Sequence, residues 1–481
     1  MTDNERNDKN ILKSRDDSAP IFFKKIDEEK FELCDGSQCG WADNKGFNSK
    51  DLRHRIEPWL TSLFQSEHLS LLVGSGLTRA VHYLATGKAS SGNMDSATFR
   101  VFATQIDKSS SESAKVSGRD KGNFEDQLRV AIELLTGLQH YCCAGNSDKK
   151  LEEEISTLKT DIAKNIKKFA ESILKDEADI ACADSETREA AFGYLVSFLM
   201  SFASRAGTRD RLRIFTTNYD RLIESGAEVA GLYLLDRFVG SITPVFRSSR
   251  LNIDMHYNPP GIRGEPRYLE GVCNFTKLHG SIDWFDNNRA IRRVGLPFGT
   301  NSIKPYLKAP GLADATAESD LADATAENDL ADTTAGSLMI YPNSAKDRET
   351  AAYPYVDLFR DLASAVCRPN STLVTYGYSF GDEHINRVIK DMLTIPSTHL
   401  VIISFSDPLN RIMKIYEEVS RAAQITLMIG NHLGDLKTLV EHYLPKPAID
   451  RATLRMSELL QARWGTNKVK DKEKDSQKGG D

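Results

Sequence analysis

The chain has 481 residues, enough for two or three compact units at the usual roughly 100 to 200 residues per domain. Its 62 Lys+Arg against 68 Asp+Glu give a formal charge of −6, which excludes a global positive field for nucleic acid or an anionic membrane. Residues 1–20 lack the continuous apolar core of a signal peptide and no later stretch is apolar for about 18 residues, so a soluble cytoplasmic protein without membrane contact is expected.

In chain order, residues 1–20 are dense in Asp, Asn, Lys and Arg and read as disordered, while 21–50 carries scattered aromatics that pack as an arm. A globular domain is expected over 51–445. The apolar run 69–73 predicts a buried strand, ended by Gly74-Ser75-Gly76 before a helix through Leu84. Residues 85–122 are rich in Ser, Gly and Lys, with a brief apolar interlude at 99–106, and read as a mobile loop or lid. A helical insertion follows at about 123–206. In it Leu151, Ile155, Leu158, Ile162, Ile166, Phe169 and Ile173 recur at steps of three and four, predicting a long amphipathic helix. A helix covering its own core is the favoured reading, and a partner-binding face the alternative. Residues 190–203 are apolar nearly all round and predict a buried helix.

The strand-turn-helix pattern then returns. Residues 212–216 form a strand, Thr217-Asn218-Tyr219-Asp220 a turn, and a helix starts at Arg221 with Asp220 as its cap. Residues 372–376 form another strand, before Gly377-Tyr378-Ser379-Phe380-Gly381 and a helix that Asp382 caps. Strands at 399–404 and 425–429 follow, with helices from Asp407-Pro408 and around 436–443. Between the halves, 312–336 repeats Leu-Ala-Asp-Ala-Thr-Ala with a period of nine; its apolar content predicts a solvated loop, with calcium binding a minor alternative. Residues 446–481 read as a C-terminal helix and a charged disordered tail. The alternation implies an α/β fold, Rossmann-like and doubly wound, with a mostly parallel sheet, a helical insertion and disordered termini.

In such sheets ligands bind beyond the carboxyl ends of the strands, where these polar turns gather. Gly74, Ser75 and Gly76 at a helix N-terminus suit a diphosphate, and Thr78 adds a hydroxyl. The turn lacks the full dinucleotide spacing and the Gly-Lys-Ser/Thr ending of a P-loop. Asn218 has the chemistry to orient a water or a ribose hydroxyl; an Asx-turn at Asn218 and a helix cap at Asp220 explain the same residues equally well. His279, in Lys277-Leu278-His279-Gly280-Ser281, is a titratable group in a tight setting, suited to accept a hydroxyl proton. His82, His140, His256, His384 and His432 have no comparable context. Phe124-Glu125-Asp126 reads as acids that complement a helix N-terminus. Seven cysteines (Cys34, Cys39, Cys142, Cys143, Cys182, Cys273, Cys367) form an odd, scattered set, so reduced thiols and no bound metal are expected.

The order Gly-Ser-Gly-x-Thr, Thr-Thr-Asn-Tyr-Asp, Leu-His-Gly-Ser, Gly-Tyr-Ser-Phe-Gly-Asp resembles the sirtuin-like proteins of bacterial anti-phage defence. The resemblance implies that Gly74, Ser75, Gly76 and Thr78 hold the diphosphate of NAD, and that Asn218 and Asp220 meet the nicotinamide ribose and carboxamide. It makes His279 the catalytic base with Asn218 beside it, turns Gly377 and Ser379 toward the adenosine, and adds Thr217 and Phe380 to the cofactor-binding set. The four-Cys zinc ribbon of the protein deacylases in this family has no counterpart, since 280–366 contains no Cys. Their Gly-Ile-Pro-Asp-Phe-Arg stretch is replaced by Arg79-Ala80-Val81-His82-Tyr83-Leu84. These departures resemble those of NAD hydrolases that deplete the cofactor during infection, often assembled with an ATPase of the HerA type. The expectation is an NAD glycohydrolase and homo-oligomer with NAD as substrate. The alternatives are an NAD-dependent deacylase and a non-catalytic NAD or ADP-ribose sensor or scaffold.

Overall fold

A computed structural model describes residues 9–446 except 28, 35, 43–45, 91–95, 117–121, 146–147, 206–208, 250–252, 258–266, 288–289, 301–337 and 341–352. The repeat at 312–336 and the expected C-terminal helix and tail lie outside the described residues.

The chain opens on four antiparallel strands, β1 (Lys9–Lys13), β2 (Ile21–Lys25), β3 (Lys30–Leu33) and β4 (Phe47–Asn48), before helix α1 (Ser49–Phe64) and the fully buried strand β5 (His68–Val73). Helices α2 (Ser75–Thr86), α3 (Ala103–Val116), α4 (Phe124–Cys143), α5 (Lys149–Ala181) and α6 (Ser185–Ala203) separate β5 from β6 (Leu212–Thr216). After α7 (Leu222–Ala230) come β7 (Tyr233–Leu235), β8 (Phe238–Val239), β9 (Val245–Phe246), β10 (His256–Tyr257), β11 (Arg267–Tyr268) and β12 (Val272–Lys277). Then follow β13 (Gly280–Asn287), β14 (Ala290–Arg293), β15 (Leu338–Ile340), α8 (Tyr355–Val366), β16 (Ser371–Tyr376), α9 (Glu383–Leu393), β17 (His399–Ser404), α10 (Arg411–Val419) and β18 (Ile425–Ile429).

The central sheet has eleven strands in the order β4-β3-β2-β1-β18-β17-β16-β5-β6-β12-β7. From β18 to β7 all neighbours pair in parallel, while β1 joins β18 antiparallel and carries the N-terminal strands. One face packs α1, α2, α6 and α7 around residues such as Leu71, Phe198 and Ile214; the other packs α8, α9 and α10 around Leu72, Phe215 and Ile402. Covering on both faces explains why β5, β16 and β18 are buried along their whole length. The fold is therefore the expected Rossmann-like α/β architecture. A smaller antiparallel sheet, β15-β13-β14-β9-β8, stands beyond the carboxyl end of β12. Among the described helices none is long and apolar enough to cross a membrane.

Two expectations are corrected. The segment expected to be disordered over 1–20 contains β1, whose Asn10 Oδ1 accepts from the main-chain N–H of His432 at 3.0 Å, and the arm of 21–50 is part of the sheet. The loop expected over 85–122 contains α3, which buries Ile106, Ser110 and Ala114 at steps of four against the insertion. Over most of its length the long helix has its favoured role: Leu158, Ile162, Ile166, Phe169 and Ile173 are buried in the insertion's own core, while Leu151 and Ile155 are half-buried.

Candidate functional site

The chain leaves β5 for β6, β7 and β12 on one side and returns to β16 on the other, so the strand order reverses at β5. There the carboxyl ends of β5, β6, β12 and β16 bring the polar turns together around a cleft of ≈ 340 Å³.

The first turn is locked to the last by glycine. Gly74 N donates to Tyr376 O at 3.0 Å and Gly76 N to Gly377 O at 3.1 Å. A Cβ on Gly76 would lie 2.5 Å from Gly377 Cα, and Gly377 itself has φ +61, so the two loops touch only because neither carries a side chain. Gly74, Gly76 and Gly377 thus serve loop-to-loop contact behind the cleft, and the amides of the first two are spent within the protein rather than offered to a phosphate. The parts of this turn that line the cleft are Ser75, Thr78 and Arg79.

Thr217, Asn218, Tyr219 and Asp220 extend the lining from the end of β6. Asn218 is 8% exposed and its Nδ2 donates to Gly74 O (3.1 Å) and Thr78 Oγ1 (3.0 Å). Both amide hydrogens are committed, so Oδ1 is the acceptor left for a ligand. Thr78 in turn donates to Asp220 Oδ2 at 2.7 Å, while Asp220 Oδ1 accepts from Leu222 N at 3.1 Å. Asp220 therefore both steadies the start of α7 and closes a relay from Asn218 through Thr78. Asn218 reaches across to α2 instead of closing an Asx-turn on its own segment.

His279 sits in the two-residue turn between β12 and β13, where Gly280 has φ +89 and Leu278 N donates to Thr216 O at 2.8 Å. It is 5% exposed and lines the cleft, with Nε2 3.7 Å from Asp382 Oδ2. Asp382 begins α9, but its carboxylate makes no cap bond to that helix, contrary to expectation. Ser379, Gly381 and Arg411 complete this side. Phe380 does not reach the cleft: it is buried against Tyr378, with ring centroids 4.8 Å apart, and its carbonyl accepts from Asn386 Nδ2 at 3.0 Å.

The opposite wall comes from the insertion, through Phe169, Ile173, Asp176, Glu177 and Ile180 of α5, with Asn123 and Glu125 at the start of α4. Asn123 and Asp126 form a reciprocal cap at 2.9 Å, which aims the first turn of α4 and puts Glu125 on the lining. Residue spacing marks α5 as a core helix and gives no sign that the same face borders a ligand site. Arg79 and Arg411 are likewise ordinary helix arginines in sequence, and only the fold sets them on the cleft.

Two ion pairs, one buried and one half-buried, hold the Asn218 turn. Arg221 engages Glu177 through Nη2 and Nε, and its main-chain N–H donates to Glu177 Oε1 at 2.7 Å. Burial pushes the Glu177 carboxyl up, with the Arg221 guanidinium pulling against it. Lys277, just before His279, donates from Nζ to the carbonyls of Tyr219 and Asp220 and to Glu224 Oε1 at 2.9 Å. One cation thus ties the Asn218 turn to the strand that delivers His279. Removal from water pushes the Glu224 carboxyl up to about 7, with Lys277 lowering it and Asp283 raising it. A raised carboxyl binds its proton more tightly in the folded state, so this contribution to stability is present at low pH and is lost as pH rises toward 7. We expect the melting temperature of the wild-type chain to fall between about pH 5 and 8 relative to that of Glu224→Gln. Parallel melting curves at the two ends of that range would contradict the account of Glu224.

No family model and no curated protein matches the sequence.

Proposed function

We propose that the chain is an NAD glycohydrolase, cleaving NAD with water to nicotinamide and ADP-ribose. The observation that carries the reading is the joint lining of one switch-point cleft by His279 and by an Asn218 whose NH2 group is already committed, leaving Oδ1 as acceptor. Arg79 and Arg411 offer cations for a diphosphate, while the carboxylates of Asp220 and Asp382 suit the positive charge that develops on the nicotinamide ribose. In the proposed reaction the nicotinamide–ribose bond breaks with its electron pair passing to the pyridinium nitrogen. His279 takes the proton of a ribose hydroxyl as positive charge develops on the ring. Asn218 Oδ1 accepts from the water that then adds to the ribose; His279 returns its proton to the ribose oxygen, and the proton lost by the water is the one released.

The direct test is to incubate the purified chain with NAD and follow nicotinamide and ADP-ribose. Release of both supports hydrolysis. Nicotinamide released only when an acyl-lysine peptide is present would point to a deacylase, and NAD binding without any cleavage to a sensor.

The motif order also motivates a setting, cytoplasmic anti-phage defence by NAD depletion, and an assembly, a homo-oligomer joined by a HerA-type ATPase. From Leu158 to Ile173 the apolar stripe of α5 is buried within the chain and offers no contact face for that assembly, while Leu151 and Ile155 are half-buried. Light scattering at micromolar concentration should give a mass above that of one chain, rising further with the ATPase. A monomer under both conditions would remove the assembly from the proposal.

A further inference from the structure

We propose that His82, Asp176 and Asp179 form a divalent-cation site at the edge of the cleft. His82 belongs to α2 and the two aspartates to α5, and one ligand atom from each lies within 4.8 Å of the others. The imidazole is 2% exposed, and its Nδ1 stands 3.2 Å from Lys88 O. Thr86 Oγ1 lies 3.3 Å from the same nitrogen, but its hydrogen goes to His82 O at 2.8 Å; carbonyl and hydroxyl oxygens both accept, so the ring proton belongs on Nδ1 and Nε2 carries a bare lone pair. That Nε2 is buried and has no hydrogen-bond partner among the described residues. It faces Asp176 Oδ1 at 3.9 Å and Asp179 Oδ2 at 3.8 Å.

A lone pair turned toward two carboxylates is repulsive unless something positive lies between them. Direct ion pairing from a protonated ring would draw the oxygens to about 2.7–2.9 Å, well inside the separations here. Ligands held about 2.1 Å from one ion sit roughly 3 to 4 Å apart, which matches both separations. The Nδ1–H bond to a backbone carbonyl is also the arrangement that orients a metal-bound histidine. Asp176 has a comparable support, since its other oxygen accepts from the hydroxyl of Ser90. One imidazole with two carboxylates suits a first-row divalent ion such as Mn2+ or Zn2+. Three protein ligands leave coordination positions open, and Asp176 and Ser90 both line the cleft, so those positions are reachable by water or by an oxygen of a bound ligand. The sequence gives no metal pattern because the histidine and the aspartates come from helices far apart in the chain.

The site stands whether or not the cleft takes NAD, because its test reads metal binding alone. The full chain is stripped with a chelator, exchanged into metal-free buffer and titrated with MnCl2 while free Mn2+ is followed by electron paramagnetic resonance, with ZnCl2 as competitor. We expect about one Mn2+ retained per chain, displaced by Zn2+, and a melting temperature raised by the metal. Asp179→Asn, at a side chain 44% exposed, should fold as the wild type and lose most of the binding and all of the rise. His82→Gln should do the same, and where it fails to fold the Asp179 variant decides. A stripped wild-type chain that takes up neither ion overturns the site, as does Asp179→Asn retaining both ions as well as the wild type.

Discussion

Changing His279 or Asn218 to Ala is expected to lower NAD cleavage by roughly 10²–10⁴-fold, the loss usual for a group that moves or places a proton in the transition state. Both side chains are at least nine-tenths buried and neither change is free of structural cost. Asn218→Ala removes the donors to Gly74 O and Thr78 Oγ1, which should lower stability by about 1–3 kcal/mol. Melting and turnover must therefore be measured on the same samples. A catalytic role predicts that activity falls far more than the folded fraction; a purely structural role predicts that the two fall together. Folded His279→Ala and Asn218→Ala proteins that cleave NAD at the wild-type rate would sink the mechanism and leave the fold untouched.

The strands of the parallel sheet were legible because each must be apolar on both faces: 69–73, 399–404 and 425–429 are short apolar runs that end in polar turns. The N-terminal strands were not. β1 is Lys-Asn-Ile-Leu-Lys, which reads as solvated, yet Asn10 and Lys13 are buried because their partners, His432 and Ala422, lie at the other end of the chain. Composition cannot reveal a polar residue whose satisfaction is that remote. Helix α3 was hidden for a related reason. Ser109, Ser110, Ser111 and Ser113 give it weak intrinsic propensity, and packing on α4 makes it a helix, with Arg129 Nη2 donating to Ser113 Oγ at 2.6 Å.

At the cleft the legible part was the turns, since a strand end followed by Asn-Tyr-Asp or His-Gly declares both its place and its polarity. The glycines were legible as sites of close approach, but what approaches them is the other loop. Phe380 looked equivalent to Ser379 in sequence, and only the positive φ of Phe380 (+53), which turns it into the layer under the sheet, separates the two. The insertion wall was illegible because one periodic stripe on α5 does two jobs: Phe169 and Ile173 belong to the helical core and also border the cleft.

Glu177→Ala is expected to cost about 3–5 kcal/mol, because it strands a buried guanidinium whose partner has been removed. Arg221 and Glu177 have side chains only 7% and 2% exposed, and with the carboxylate gone the guanidinium keeps the carbonyls of Leu296 and Pro297 but no counter-charge. The main-chain N–H of Arg221 loses its acceptor at the same time. A fall in melting temperature of roughly 3–5 °C should result. Joining Glu177→Leu to Arg221→Met removes both charges and should recover a large part of that loss, since a buried pair replaced by apolar side chains is often neutral or better. Turnover should not recover with it. Arg221 directly follows Asp220, and the double variant no longer anchors the turn that carries Asn218, so NAD cleavage by the restabilised protein should remain well below wild type. A single Glu177→Ala protein that melts with the wild type would show that this pair does not hold the insertion in place; a double variant that regains full turnover would show that Lys277 alone holds the turn.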